Sequence, residues 1–316
     1  MDQYRQCTTA STKPLHCIVK LGGAAITCKN ELETINEDNL NTVSSQLSEA
    51  MILGPRHGMD WSRRPGSLEV PTVPDDFDDQ LESDSKSFIV VHGAGSFGHF
   101  QASKSGVHKG GLSQTLVKSG FVATRISVTS LNLEIVRALA KEGIPSIGMS
   151  PFSCGWSTCQ RNIAIADIST VVKALDTGFV PGCTILSGDV IIRHLAEHLR
   201  PKYVVFLTDV LGVYDRPPSE PDATLLREIA VREDGSWSVL NPKLQDMSKQ
   251  VEITVAAHDT TGGMITKISE AAMIAKLGMD VYIVKAATNH SVTALKGQLT
   301  ENIPDDWLGT IIRLAK

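Results

Sequence analysis

Lys20, Lys29, Lys267 and His99 each stand in or near a glycine-dense turn, and two of those turns follow short apolar runs. The first unit reads His16-Cys17-Ile18-Val19-Lys20-Leu21-Gly22-Gly23. The second reads Phe88-Ile89-Val90-Val91-His92-Gly93-Ala94-Gly95-Ser96-Phe97-Gly98-His99. A third turn, Asp259-Thr260-Thr261-Gly262-Gly263-Met264, opens a helical stretch that carries Lys267. Glycine lets a backbone approach an anion closely and aim several N–H groups at it, where a Cβ would obstruct. Three such turns with four cationic or donating side chains describe a site for several phosphates rather than one. The chemistry that fits is phosphoryl transfer, which needs alignment, cations and N–H dipoles on the transferring group and little covalent help from the protein.

Other phosphate sites compete with this reading. Gly93, Gly95 and Gly98 formally match the Gly-x-Gly-x-x-Gly fingerprint of a dinucleotide fold, which wants a helix directly after the third glycine and an acid ending a second strand about 20 residues on. Here the segment reads on from Phe100 to Gly111 as a loop, and no strand ending in Asp or Glu follows. Neither the Gly-x-x-x-x-Gly-Lys-Ser/Thr motif nor the protein-kinase signature set occurs. A net charge of −5 with dispersed lysines gives no field for nucleic acid. No apolar run approaches the roughly 18 residues of a membrane span, and the start, Met1 to Cys7, lacks the apolar core of a signal peptide. Six cysteines in 316 residues, none spaced Cys-x-x-Cys, fit a reduced, cytosolic setting. Cys154 and Cys159 lack the partner pair that zinc spacing would demand.

The elements that must hold these residues alternate between strand and helix. Residues 1–15 are polar and read as a flexible N-terminus, and 16–316 read as one domain. A loosely helical stretch from Glu31 to Leu53 is followed by residues 54–87, rich in proline and acids, which read as a mobile insertion loop. Helical spacing over 112–142 ends at Gly143, and Ile144–Met149 returns to strand. A helix over 163–176 is expected next, then the very short run Phe179-Val180-Pro181, then a helix from Ser187-Gly188-Asp189 to Leu199 with Ser187 as N-cap. Tyr203–Asp209 is the strongest strand of the second half, Asp234-Gly235 marks a hairpin, and Val281–Val284 and Thr310–Arg313 are further strands. This order predicts an α/β fold with a mainly parallel sheet and helices on both faces.

Five ordered motifs carry a family resemblance: Lys20-Leu21-Gly22-Gly23, His92 to His99, Ser187-Gly188-Asp189, Thr208-Asp209-Val210-Leu211-Gly212-Val213-Tyr214 and Thr261-Gly262-Gly263-Met264. Together they resemble the amino acid kinase superfamily, and within it the isopentenyl phosphate kinases of land-plant type. The resemblance implies a three-layer α/β/α sandwich, commonly dimeric, that moves the γ-phosphate of ATP, with Mg²⁺ carried by the nucleotide, onto isopentenyl phosphate. It implies that His99 holds the acceptor phosphate, that Lys29 stabilises the transferring group, and that Lys20 and Lys267 contact ATP. Gly22, Gly23, Gly95 and Gly263 would supply room or N–H groups, Ala94 and Gly188 would line the acceptor side, and Asp209, Gly212 and Tyr214 would hold the nucleoside end. Asp189 has two readings, orienting the lysines or serving as a first-turn acid that the helix dipole favours. His92 reads as satisfying its own loop. A homodimer in the cytoplasm, without nucleic acid or membrane span, completes the expectation.

One departure bears on the site. The family pattern continues Val-Pro into a His-Gly-Asp turn and hairpin, whereas here Pro181 runs directly into Gly182-Cys183-Thr184. A usual strand has about five to six residues, so a run of three either leaves ladder groups without partners or draws Gly182 to Leu186 in to replace the missing end, and both outcomes displace Gly188. The alternatives are therefore a kinase of another small phosphate or phosphonate, a catalytically weakened nucleotide-binding variant, and a dinucleotide oxidoreductase.

Overall fold

The computed structural model describes residues 14–52, 54, 56–62, 85–159, 162–183, 188–242, 263–299 and 303–315. Its first strand, β1 (Leu15–Leu21), is buried along nearly its whole length, as an apolar run covered on both faces must be. The chain turns through α1 (Gly23–Ile26) into α2 (Glu37–Met51), where the Asn36 side chain accepts from the Asn39 N–H and Glu37 and Asp38 sit favourably in the first turn. β2 (Ser87–His92), a single 3-10 turn at Gly95–Phe97, α3 (His99–Ser105) and the long α4 (Thr115–Lys141) follow. Gly143, at φ +78°, stops α4 in the left-handed region that glycine favours. Next come β3 (Ser146–Met149), a hairpin of β4 (Ser157–Cys159) and β5 (Asn162–Ile165), α5 (Ser169–Asp176), β6 (Val180–Cys183) and α6 (Gly188–Leu199). The remainder comprises β7 (Tyr203–Thr208), β8 (Val213–Tyr214), β9 (Leu225–Leu226), β10 (Glu228–Val231), β11 (Trp237–Asn241), α7 (Gly263–Lys276), β12 (Asp280–Lys285), α8 (Asn289–Leu295) and β13 (Thr310–Leu314).

Nine of the described strands form one sheet in the order β11-β10-β13-β12-β7-β1-β2-β6-β3. Pairing is parallel throughout except for β12 with β13 and β10 with β11. The order reverses at β1: the chain moves from it to β2 on one side and reaches β7 on the other only later. In open α/β sheets such a switch point, at the carboxyl ends of the strands, is where ligands bind. Leu21 pairs with both His92 and Leu207, so the turns after β1, β2 and β7 emerge side by side at that edge.

Residue parity divides the core into two layers. Cys17, Val19, Leu21, Phe88 and Val90 pack with α2, α4 and α8 through Leu40, Leu47, Leu131, Ile135 and Leu295. Ile18, Ile89, Val91, Val204 and Phe206 pack with α5, α6 and α7 through Leu175, Ile192, Leu195, Ala271 and Ile274. The result is the expected three-layer α/β/α sandwich. By the same two-residue period Lys20 points toward α6 and α7, and His92 toward α4.

Three local expectations are corrected and one open alternative is decided. The segment after Gly98 is helical from His99 rather than a loop, so the missing helix was no argument against a dinucleotide site. The helix expected over 163–176 starts only at Ser169, because Asn162–Ile165 pairs with β4 and the Asp167 carboxylate accepts from both the N–H and the hydroxyl of Ser169. Part of the insertion is anchored. Met59 N–H donates to the Ala140 carbonyl at 2.7 Å, Asp60 pairs with Arg137, and Ser87 already belongs to β2; residues 63–84 lie outside the described residues. Finally, the strand after Phe179 is not cut short at Pro181. Gly182 and Cys183 take ladder positions opposite Val90 and Val91 on one side and Gly148 and Met149 on the other.

Candidate functional site at the carboxyl edge of the sheet

The two glycine turns lie back to back. A Cβ on Gly23 would stand 2.3 Å from the Gly95 nitrogen, and one on Gly95, itself at φ +50°, would stand 2.2 Å from Thr27 Oγ1. Only glycine permits that approach. Thr27, buried at the end of α1, stitches the turns together: its hydroxyl donates to the Gly23 carbonyl at 2.8 Å and accepts from the Ser96 N–H at 3.1 Å. Gly22 N–H donates to the Leu207 carbonyl and Gly93 N–H to the Leu21 carbonyl, each at 2.8 Å, so Gly22 offers a ligand room rather than a donor. Gly23 opens α1 and Gly95 opens the 3-10 turn, positions whose N–H groups have no intrahelical acceptor.

Lys20 is 7% exposed and donates a hydrogen bond to the Asp189 carboxylate in the first turn of α6. Its ammonium also lies 5.9 Å from the centre of the Phe206 ring, its register partner on β7. Burial, and then the positive charge of Lys267 on α7, pull the Lys20 ammonium down to about 8, against the opposing pull of Asp189. Lys267 and Lys20 thus feel each other across the edge, a repulsion that an anion between them would relieve. Both readings of Asp189 are compatible with this geometry: it stands in the first turn of α6 and it accepts from Lys20. Behind it, Arg193 Nε of α6 meets Glu270 Oε2 of α7 at 2.5 Å, and burial raises the Glu270 carboxyl.

Lys29 reaches Asp209 at 2.6 Å, an exposed pair that joins the turn after α1 to the turn after β7. Gly212 lies in the same turn as Asp209, which is fixed when Val213 N–H donates to Thr310 Oγ1 at 2.8 Å; Tyr214 follows in β8. Ala94 and Gly95 stand at the head of the 3-10 turn, His99 is the exposed first residue of α3, Gly188 is the buried first residue of α6, and Gly263 is the first residue of α7. Ser187, Thr261 and Gly262 lie outside the described residues. His92 does satisfy its own loop, with Nδ1 3.1 Å from the Gly93 carbonyl. Thr27, which stitches the turns together, escaped the sequence reading, as did Asn132, whose amide meets His92 and the Gly182 carbonyl. Thr27 looks like any residue after a short helix, and Asn132 lies mid-helix with no motif around it.

A model of the amino acid kinase family matches residues 77–285. The chain belongs to that family. Among curated proteins similar to this amino acid kinase family member is the isopentenyl phosphate kinase of Arabidopsis thaliana, 68% identical over 323 aligned positions that cover 96% of this chain and 97% of the relative. The alignment is longer than the 316-residue chain, so the relative carries residues that this chain lacks. The isopentenyl phosphate kinase of Methanothermobacter thermautotrophicus is 31% identical, over 89% of this chain and 95% of that one. A solved structure described as "X-ray structures of isopentenyl phosphate kinase" superposes with a TM-score of 0.66 at 28% identity, covering 94% of this chain and 99% of the other.

Proposed function

We propose that this chain transfers the γ-phosphoryl group of ATP to isopentenyl phosphate, giving isopentenyl diphosphate and ADP. The observation that carries the reading is the meeting, at the sheet's switch point, of two glycine turns, the Lys20–Asp189 pair and Lys267, in a chain so similar to an isopentenyl phosphate kinase. ATP lies with its phosphates along the Gly22-Gly23 and Gly95 turns and against Lys20 and Lys267, with the Gly263 end of α7 beneath them. Its nucleoside end faces Asp209, Gly212 and Tyr214. Isopentenyl phosphate lies between Ala94, Gly188 and His99, and His99 donates to its phosphate. A phosphate monoester is already largely dianionic near neutral pH, with a second pKa of about 6, so an acceptor oxygen attacks the γ-phosphorus without a general base. As that P–O bond forms and the bond to ADP breaks, Lys29 leaves Asp209 and neutralises the equatorial oxygens.

Magnesium enters on the nucleotide. It is commonly bound through one or two carboxylates plus substrate phosphates and waters, and among the described residues the carboxylates Asp189 and Asp209 at this edge are each engaged by a lysine. That donor set fits a metal that arrives with ATP rather than a protein cage. The proposal includes a homodimer in the cytosol, and its dimeric part is supported by Leu116, Val122, Ile126 and Leu133, all more than half exposed along α4. The described helices include none long and apolar enough to cross a membrane. A catalytically weakened nucleotide binder is disfavoured, because β6 is paired on both sides through Cys183.

A coupled assay of ADP release, with isopentenyl phosphate present and absent, tests the reading. Release that depends on isopentenyl phosphate is expected, and ATP binding without such release would sink it.

A further inference from the structure

His92 and Asn132 meet because both are aimed at the same layer: His92 by strand parity, Asn132 from the buried stripe of α4. The Asn132 side-chain amide nitrogen lies 3.0 Å from His92 Nε2 and 2.9 Å from the Gly182 carbonyl oxygen. Both residues are shut away from solvent, His92 completely and Asn132 to 4% exposure. The sheet is cut to admit this amide. Gly148 and Gly182 are register partners on β3 and β6, and a Cβ on Gly148 would stand 2.4 Å from Asn132 Oδ1. A Cβ on Gly182 would stand 3.9 Å from Asn132 Nδ2 and press on Val136 at 3.3 Å. The amide therefore occupies the space where Gly148 omits its side chain, with Gly182 beside it in ordinary contact range.

The partners dictate the protons. The Gly182 and Gly93 carbonyls can only accept, so the two Asn132 amide hydrogens go to Gly182 and to His92 Nε2, and His92 Nδ1–H donates to Gly93. His92 is held as the neutral imidazole with its proton on Nδ1; burial, which pulls its ring down to about 4, acts in the same direction. Gly93 is the first residue of the turn that ends at His99, and Gly182 lies in the strand that leads toward Gly188.

We infer that Asn132 is a positioning residue for the acceptor side: its single amide clamps the Gly93–His99 turn, through His92, to the β6 strand that leads toward Gly188. The inference rests on the acceptor reading given under the proposed function. Asn132 touches neither substrate. It sets the distance between two groups that do.

Asn132→Leu, which keeps the volume and loses both donors, and Asn132→Ala are compared with the unmodified chain for isopentenyl phosphate KM, ATP KM, kcat and melting temperature. Loss of two buried hydrogen bonds that act on the acceptor side raises the isopentenyl phosphate KM about tenfold or more, with the ATP KM within about twofold. His92→Leu produces the same split, and the His92→Leu/Asn132→Leu pair is no worse than either single change, because both break one clamp. A lower melting temperature with both KM values unchanged, or both rising together, overturns the inference.

A second readout needs no turnover. Nitrogen-15 shifts of the His92 ring report its tautomer, and amide exchange reports the turn 94–98. In the unmodified chain the proton sits on Nδ1, and in Asn132→Leu the tautomers mix and the turn amides exchange faster. An unchanged ring and turn in Asn132→Leu overturn the clamp. Absence of any isopentenyl phosphate turnover in the unmodified chain overturns the functional reading instead, and ring and turn still decide the role of Asn132.

Discussion

Lys20 and Asp189, 169 residues apart in the chain, share a buried hydrogen bond at the edge where the strand order reverses. Replacing Asp189 with Asn leaves the Lys20 charge without its counter-ion beside Lys267. Breaking a buried pair from one side costs about 3–5 kcal/mol of stability. A denaturant midpoint for Asp189→Asn within error of the unmodified chain would show that the pair contributes nothing.

The same lysine gives a pH signature. Its proton leaves the folded chain at about 8, whereas in an unfolded chain it leaves near about 10.4. Below about 8 the group is charged in both states and its full burial cost applies. Above that, the unfolded state binds more protons, so this contribution to stability rises with pH until the unfolded lysine also titrates. Nucleotide binding moves the other way, because the cation is lost, and the ATP KM should climb as pH passes about 8. Lys20→Arg, which stays protonated, should flatten that climb. A parallel climb in both forms would assign the titration to another group.

His99 is exposed at the start of α3 and free to meet an acceptor. Loss of the contact that positions a reactant costs about 10²-fold in rate. His99→Ala should lose that much while still binding ATP, and His99→Gln should retain more through its amide N–H. Equal, undiminished rates for both would take His99 out of the mechanism.

Lys29 and Asp209 form an exposed pair, of a kind that contributes about 0–1 kcal/mol to stability. Lys29→Met should therefore leave the melting temperature nearly unchanged and depress kcat. Asp209→Asn should chiefly raise the ATP KM. A Lys29→Met enzyme with normal kcat would return the pair to the status of a surface contact.

Gly23→Ala should be far more damaging than its size implies. Its methyl group would need space 2.3 Å from the Gly95 nitrogen, where backbone rather than a flexible side chain must give way. Both turns would separate, and ATP binding should fail even if the chain folds. Calorimetry with ATP checks this directly, and near-normal affinity would mean that the turns tolerate separation.

The parts of the site legible in the sequence were those with a local reason. Lys20 among apolar neighbours, the paired glycines and His99 after Ser96-Phe97-Gly98 each break a rule that their own segment sets. Asn132 breaks none: a single asparagine inside an amphipathic helix becomes meaningful only when β3 and β6 are known to pair Gly148 with Gly182. The junction after Pro181 stayed open between a truncated strand and one completed from Gly182 onward for a related reason. The expected break came from the hairpin that the family pattern has and this chain lacks, and only the pairing of β6 between β2 and β3 shows that Gly182 and Cys183 complete the ladder. The stretch 163–165 was assigned to a helix because a short apolar run does not reveal its period until its hairpin partner is found.

The division of β1 and β2 between the two helical layers bears on how the protein fails. Lys20 hangs toward α6 and α7, His92 toward α4, and the phosphate turns follow directly from both strands. The site is therefore stretched across the interior rather than perched on one lobe, and no subset of helices can loosen while it stays assembled. On slow heating, loss of turnover and loss of the near-ultraviolet signal of the buried aromatic residues should coincide as one cooperative event, with no inactive but folded stage between them.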